Sequence, residues 1–128
     1  MVEAQHSNRQ NDSKDFFYPD IHQLHNPFLM ADMDKAVERI LSAISDNKSI
    51  LVFGDYDVDG ASSTAILSRY FLSIRQKILT YIPDRQKEGY GPNSIGFNNL
   101  INLGVKVIFT VDCGTLSFEP INFAQKKN

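Results

Sequence analysis

Apolar residues in this chain follow two periods, and stretches of the two alternate. Between Asp32 and Asn47, Ala36, Val37, Ile40, Leu41 and Ile44 recur at the spacing of one helix face, with Glu38 and Arg39 turned away. Asp32 and Asp34 are both suited to cap that helix. Ser49-Ile50-Leu51-Val52-Phe53 is instead an unbroken apolar run stopped by Gly54, the pattern of a strand covered on both faces. Helical spacing returns from Ala61 to Ile74, where Ala65, Ile66, Tyr70, Phe71 and Ile74 form the expected buried stripe. Ile78 to Ile82 reads as a second strand closed by Pro83. After a polar loop from Asp84 to Asn93, a helix is expected over Ser94 to Leu103 through Ile95, Leu100, Ile101 and Leu103, with Gly104 at its end. Val105 to Val111 is rich in β-branched residues and is the strongest strand signal; Ser117 to Lys127 reads as a last helix, with Pro120 tolerated in its first turn.

Strands that alternate with helices predict an α/β fold: a Rossmann-like parallel sheet with flanking helices and right-handed crossovers. Three stretches are expected: a flexible polar arm over residues 1–15, a lead-in segment and helix over 16–48, and the sheet-bearing part over 49–128. At 128 residues, 42% hydrophobic and with 9 Phe and 5 Tyr, the chain holds enough apolar material for one core and at most one domain.

Charge and cysteine usage narrow the chemistry. Thirteen Lys+Arg against 15 Asp+Glu leave a net charge of −2, which argues against a freestanding basic nucleic-acid clamp. A lone cysteine, Cys113, and three scattered histidines at 6, 22 and 25 do not make a Cys/His zinc site. No apolar run is long enough to span a bilayer, and the polar start lacks a signal-peptide core, so no membrane partner and a cytoplasmic location are expected. Any site must therefore be built from oxygen ligands.

Two strands end in acids. The first runs into Gly54-Asp55-Tyr56-Asp57-Val58-Asp59-Gly60, and the later one into Asp112-Cys113-Gly114. Ligands of open parallel sheets bind outside the carboxyl ends of the strands, so if these two strands are neighbours, four carboxylates converge. Two like charges about 4 Å apart cost on the order of 4 kcal/mol at an effective dielectric near 20. Hard divalent ions, Mn²⁺ or Mg²⁺, relieve that cost and leave positions open for water and phosphate. A pair of such ions supports phosphodiester hydrolysis. Acids in such a loop also cap helices, and Asp59 fits that use. An EF-hand is excluded, because the twelfth place of a loop opened by Asp55 is Ile66 where Glu is required. Asp57-Val58-Asp59-Gly60-Ala61 also resembles the nucleophile loop of haloacid-dehalogenase-type small-molecule phosphatases, although Gly54-Asp55-Tyr56 interrupt the strand that such a loop follows.

A closer match covers about Phe28 to Asn128. Gly54-Asp55-Tyr56-Asp57-Val58-Asp59-Gly60-Ala61-Ser62-Ser63-Thr64 resembles the first motif of RecJ-type single-stranded-DNA exonucleases of the DHH phosphoesterase superfamily. Pro27-Phe28-Leu29 with Asp32 to Val37 resembles that family's lead-in helix, and Pro83-Asp84-Arg85 with Glu88-Gly89-Tyr90-Gly91 its loop, with Asp84 where Asn or Ser is commoner. Thr110-Val111-Asp112-Cys113-Gly114 resembles its second acidic motif. The resemblance implies a 5′-to-3′ nuclease on single-stranded DNA in repair and recombination, dependent on Mn²⁺ or Mg²⁺. By motif position it makes Asp57, Asp59 and Asp112 catalytic metal ligands, with Asp55 a ligand or an acid behind them. The place that holds His in small-molecule relatives of the superfamily is Phe53 here, which favours the nuclease branch.

Around the acids, Arg85 is expected to meet phosphate, Gly89 and Gly91 to allow close backbone approach, and Tyr90 to pack beside a sugar or base; the bland reading is a turn with a surface Tyr. Ser62, Ser63 and Thr64 are expected to hold a phosphate at a helix start or merely to cap it. Cys113 reads as a small buried residue. The Asp-His-His triplet that names the superfamily belongs on the strand after the second acidic motif, and the chain stops at Asn128, before it. The expectation is thus the amino-terminal fragment of such a nuclease, inactive in isolation; the alternative is a non-catalytic remnant or interaction module from a split gene, which binds metal weakly or assembles with a second chain bearing the missing motifs. A three-stranded parallel sheet leaves an apolar edge, so self-association is expected as well.

Overall fold

The structure, a computed structural model, describes residues 17–18 and 20–127. The chain divides into two compact units, one ending at Val37 and the other beginning at Glu38. The described part of the first unit holds two single 3₁₀ turns, Ile21–Gln23 and Pro27–Leu29. Asp20 caps the former by accepting the His22 N–H at 2.8 Å, and Asn26 caps the latter by accepting the Phe28 N–H at 3.0 Å. The proposed polar arm, residues 1–15, lies outside the described residues.

The expected alternation is present: α1 (Met33–Ser45), β1 (Ile50–Phe53), α2 (Val58–Ser73), β2 (Ile78–Tyr81), α3 (Arg85–Glu88), α4 (Ser94–Asn102), β3 (Val107–Thr110) and α5 (Phe118–Lys126). All strands are parallel in the order β2-β1-β3, and the register pairs Phe53 with both Tyr81 and Thr110. The three strands therefore end level with one another. Bonds from Gly54 N–H to Tyr81 O and from Val111 N–H to Phe53 O, both 2.9 Å, carry the pairing one residue further. A helical connection takes the chain from β1 to one side and then back past it to β3, so the strand order reverses at β1 and a crevice opens at the ends of β1 and β3.

Side chains alternate across β1, and all four of its residues are buried, as a doubly covered strand requires. Ile50 faces Ala43, Phe71, Val107 and Phe109; Leu51 and Phe53 face Phe97, Leu100, Val105 and Cys113 on the opposite side. Phe53 meets Phe97 edge-on at 5.4 Å between ring centroids.

Two helices bury faces that only partly match their hydrophobic spacing, Phe71 and Leu100 being buried as expected. In α2 the buried positions are Gly60, Thr64 and Phe71, while Ile66 and Tyr70 are 68% and 59% exposed. Small residues let the helix approach the end of β1: a Cβ on Gly54 would fall 2.1 Å from Thr64 Oγ1, and one on Gly60 would fall 2.5 Å from Asp55 O. A count of large apolar residues cannot see such a face. In α4, Gly96, Phe97 and Leu100 are buried, whereas Ile95 and Leu103 are exposed. The polar loop from Asp84 also differs from expectation, because its first residues wind into the turn α3, with Asp84 accepting the Gln86 N–H at 3.0 Å.

One pair fixes this loop to the sheet. The Tyr81 hydroxyl at the end of β2 donates to Glu88 at 2.5 Å, and Glu88 also accepts the Asp84 N–H at 3.0 Å. Burial and the Glu88 contact push Tyr81 up to about 12, while the same hydroxyl holds Glu88 below the usual carboxylate range. Glu88 is ionised more readily when folded, so its contribution is full above an unfolded pKa of about 4.3 and is lost as pH falls through the lower folded value. Tyr81 behaves oppositely: its contribution holds below about 10 and is lost as pH rises toward its folded value. Tyr81→Phe is expected to cost about 1 kcal/mol at pH 7, and less below pH 4, in urea denaturation followed by circular dichroism. A pH-independent loss contradicts the pairing.

Candidate metal centre

Asp57 caps α2. Its extended backbone turns the chain into the helix while its Oδ1 accepts the N–H groups of Asp59 at 3.1 Å and Gly60 at 3.0 Å. The helix thus starts at Val58, three residues before the predicted Ala61. That shift alters the expected role of three residues. Ser62, Ser63 and Thr64 lie in the second turn, where their backbone N–H groups belong to the helix ladder, and they do not form a free helix start. Thr64 is buried against Gly54 with its Oγ1 unpartnered; Ser62 is exposed and Ser63 half-buried.

Asp55, Asp57 and Asp112 come together, each offering a carboxylate oxygen within 4.8 Å of the others. Asp55 and Asp57 leave the end of β1, and Asp112 leaves the end of β3. Asp112 adopts φ 57°, a left-handed conformation that Asp tolerates better than bulkier residues, and this turns the chain back at the strand end. Asp59 is exposed in the first turn of α2 and is not in this group, although its charge is felt at Asp112.

The three acids occupy unlike surroundings. Asp57 is held below the usual carboxylate range, first by the Gly60 N–H and also by its contact with Asp112. Asp112 is pushed up by desolvation, by that same contact, and by repulsion from Asp57, Asp59 and Asp55. Asp55 is only 2% exposed, and its Oδ1 has no hydrogen-bond partner. A buried carboxylate oxygen without a donor is costly, and among the described residues no side-chain cation pairs with it. An oxygen-only donor set with one orphaned buried oxygen fits a hard divalent ion. Cys113, beside these acids, is buried with its thiol 3.1 Å from Val111 O and is pushed up to about 11 by burial, so it stays a neutral thiol in the core.

The loop opposite completes the crevice. Gly89 and Gly91 have φ of 81° and 71°, conformations that a side chain would strain. Tyr90 between them is 63% exposed, and desolvation followed by the charges of Asp55 and Asp112 raises its phenol pKa, which places its hydroxyl in the field of the acids. The Arg85 guanidinium lies over the ring of Tyr56, 4.8 Å from its centroid. Tyr56 is a site residue that sequence reasoning passed over, because nothing along the chain brings positions 56 and 85 together.

The family described as "DHH family, N-terminal domain" matches residues 49–128. The chain belongs to the DHH family. Within it, the chain is 38% identical over 102 residues to the single-stranded-DNA-specific exonuclease RecJ of Bacillus subtilis, a match covering 80% of this chain and 13% of that protein. It is 35% identical over 86 residues to RecJ of Thermus thermophilus, covering 62% of this chain and 12% of that one. The fold matches a crystal structure of exonuclease RecJ bound to manganese with a TM-score of 0.65 and 30% identity, over 72% of this chain and 24% of that one. The chain thus spans less than a fifth of the curated relatives it matches. Among the described residues of this DHH-family chain, no helix is long and apolar enough to cross a membrane.

Proposed function

We propose that this chain carries the acidic part of a divalent-metal phosphodiesterase site, Mn²⁺ or Mg²⁺ dependent, that degrades single-stranded DNA 5′ to 3′ in cytoplasmic DNA repair and recombination. The observation that carries the reading is the meeting of Asp55, Asp57 and Asp112 at two adjacent strand ends, with an unpartnered buried oxygen on Asp55. The likeness to RecJ proteins suggests the substrate, and the motif resemblance suggests the polarity. In this reading Asp55, Asp57 and Asp112 hold the first cation, and Asp59 is the acid available to a second. A bound cation there supplies Lewis acidity and an activated water.

The chain's own residues do the rest. Gly60 N–H fixes the carboxylate of Asp57, and the Asp57–Asp112 pair takes up or releases a proton as a cation leaves or enters. Arg85 presents a planar fork of donors to a substrate phosphate. Tyr90, with Gly89 and Gly91 on either side, offers an exposed ring against which a sugar or base packs. A haloacid-dehalogenase-type reaction asks Asp57 to attack phosphorus; here one oxygen of Asp57 is already committed to two backbone donors, which favours the ligand role.

The 128 residues contain no Asp-His-His triplet, so the groups which that triplet contributes in the superfamily are not among them. The test exchanges the matching segment of Bacillus subtilis RecJ for residues 49–128 of this chain and assays end-labelled single-stranded DNA in Mn²⁺. The chimera is expected to degrade DNA and to lose that activity with Asp57→Ala, while the 128-residue chain alone is expected to leave DNA intact. A folded but inactive chimera counts against the nuclease reading, and degradation by the 128 residues alone counts against their need for further catalytic groups.

A further inference from the structure

We infer that Tyr56 is a positioning residue whose ring carries the Arg85 guanidinium and sets where that group meets a substrate phosphate relative to the acid cluster. The inference rests on the phosphate role proposed for Arg85.

The surroundings of Arg85 make the point. Its neighbour Asp84 is engaged by Lys87 at 3.0 Å and by the Gln86 N–H at 3.0 Å. Glu88, one turn on, is engaged by Tyr81 at 2.5 Å. None of the ion pairs or side-chain hydrogen bonds found among the described residues includes the Arg85 guanidinium. The contact found for it is the face of the half-buried Tyr56 ring, at 4.8 Å.

Stacking uses the flat face of the guanidinium and leaves its in-plane N–H donors unspent. A carboxylate partner would consume those donors; an aromatic face holds the group in place and keeps the fork open for two phosphate oxygens. Tyr56 sits between Asp55 and Asp57, so the ring that carries Arg85 is tied by one peptide unit on each side to two acids of the cluster. The span from cation to guanidinium is thereby fixed by adjacent residues of one loop. Tyr81, Glu88 and the Asp84 cap hold the opposite side of the contact. A ligand that bridges the two ends is a phosphate ester, with one oxygen set toward the acids' cation and another toward Arg85.

The test titrates inorganic phosphate into the 128-residue chain in Mg²⁺ and follows the Arg85 side-chain NMR signals. Stacking on Tyr56 predicts an upfield ring-current shift of those signals before phosphate is added. Tyr56→Leu is expected to abolish that shift and weaken phosphate about fivefold, while Tyr56→Phe keeps both near the parent values, because only the ring face is required. Arg85→Lys retains the charge without the planar fork and is expected to bind about as weakly as Tyr56→Leu. If Tyr56→Leu binds phosphate as tightly as the parent while Arg85→Ala does not, the inference fails and the phosphate role of Arg85 stands. If Arg85→Ala also binds as the parent does, that role and the inference fall together. Equal weakening in Tyr56→Phe and Tyr56→Leu overturns positioning by the ring face.

Discussion

Asp57→Asn is expected to lower Mn²⁺ affinity of the 128-residue chain by about 100-fold while leaving its urea midpoint unchanged. Asp57 has two duties, and this substitution separates them. Its Oδ1 caps α2 through the N–H groups of Asp59 and Gly60, and Asn caps a helix start as well as Asp does. Its charge, set low by the Gly60 N–H, is what a cation between Asp55, Asp57 and Asp112 requires, and Asn removes it. Loss of an outer partner of a metal ligand commonly costs 10- to 100-fold in affinity, so loss of a charged ligand belongs at the upper end, about 100-fold. Asp57→Ala is expected to lose both duties, with weaker cation binding and an earlier midpoint. Mn²⁺ electron paramagnetic resonance measures free against bound ion; unchanged affinity in Asp57→Asn contradicts the ligand role.

The second large effect is structural. Gly60→Ala is expected to destabilise the chain by about 2 kcal/mol, even though Ala is the better helix former. A Cβ at Gly60 would lie 2.5, 2.6 and 2.7 Å from the backbone O, N and C of Asp55. No flexible side chain is there to yield, so either α2 withdraws from β1 or Asp55 moves. Movement of Asp55 displaces the one fully buried acid of the cluster, and Mn²⁺ binding is expected to weaken with stability. Gly104→Ala provides the comparison: its φ is 88° and nothing lies within 4 Å of an added Cβ, so only backbone strain of about 1 kcal/mol is expected, with cation binding intact. Urea denaturation of the two variants side by side distinguishes crowding from strain; equal losses contradict the close approach of α2 to Asp55.

The parts of this fold readable along the chain are those where one kind of interaction decides. β1 is apolar at every position because both faces are covered, so Ile50 to Phe53 announce a central strand. The acids after β1 and β3 announce a site because clustered carboxylates are costly without a counter-ion, while the level strand ends that bring them together are a property of the sheet register. Part of the inward face of α2 was hidden, since Gly60 and Thr64 make contact by being small, while the larger Ile66 and Tyr70 are exposed. Its starting point was hidden as well, because Asp57 serves as cap and candidate ligand together, and spacing alone does not weigh the two. The stacking of Arg85 on Tyr56 depends on how α3 is pinned by Tyr81 and Glu88, which is tertiary information. Asp55 gains its significance from burial, which leaves one oxygen of an acid of undecided role without a partner.

Crystals of the chain grown or soaked in Mn²⁺ test the cation position most directly, through anomalous scattering at the manganese edge. A peak is expected within bonding distance of carboxylate oxygens from Asp55, Asp57 and Asp112, lost in Asp57→Asn crystals. Peaks only elsewhere, with Asp55 Oδ1 still unpartnered, would contradict it.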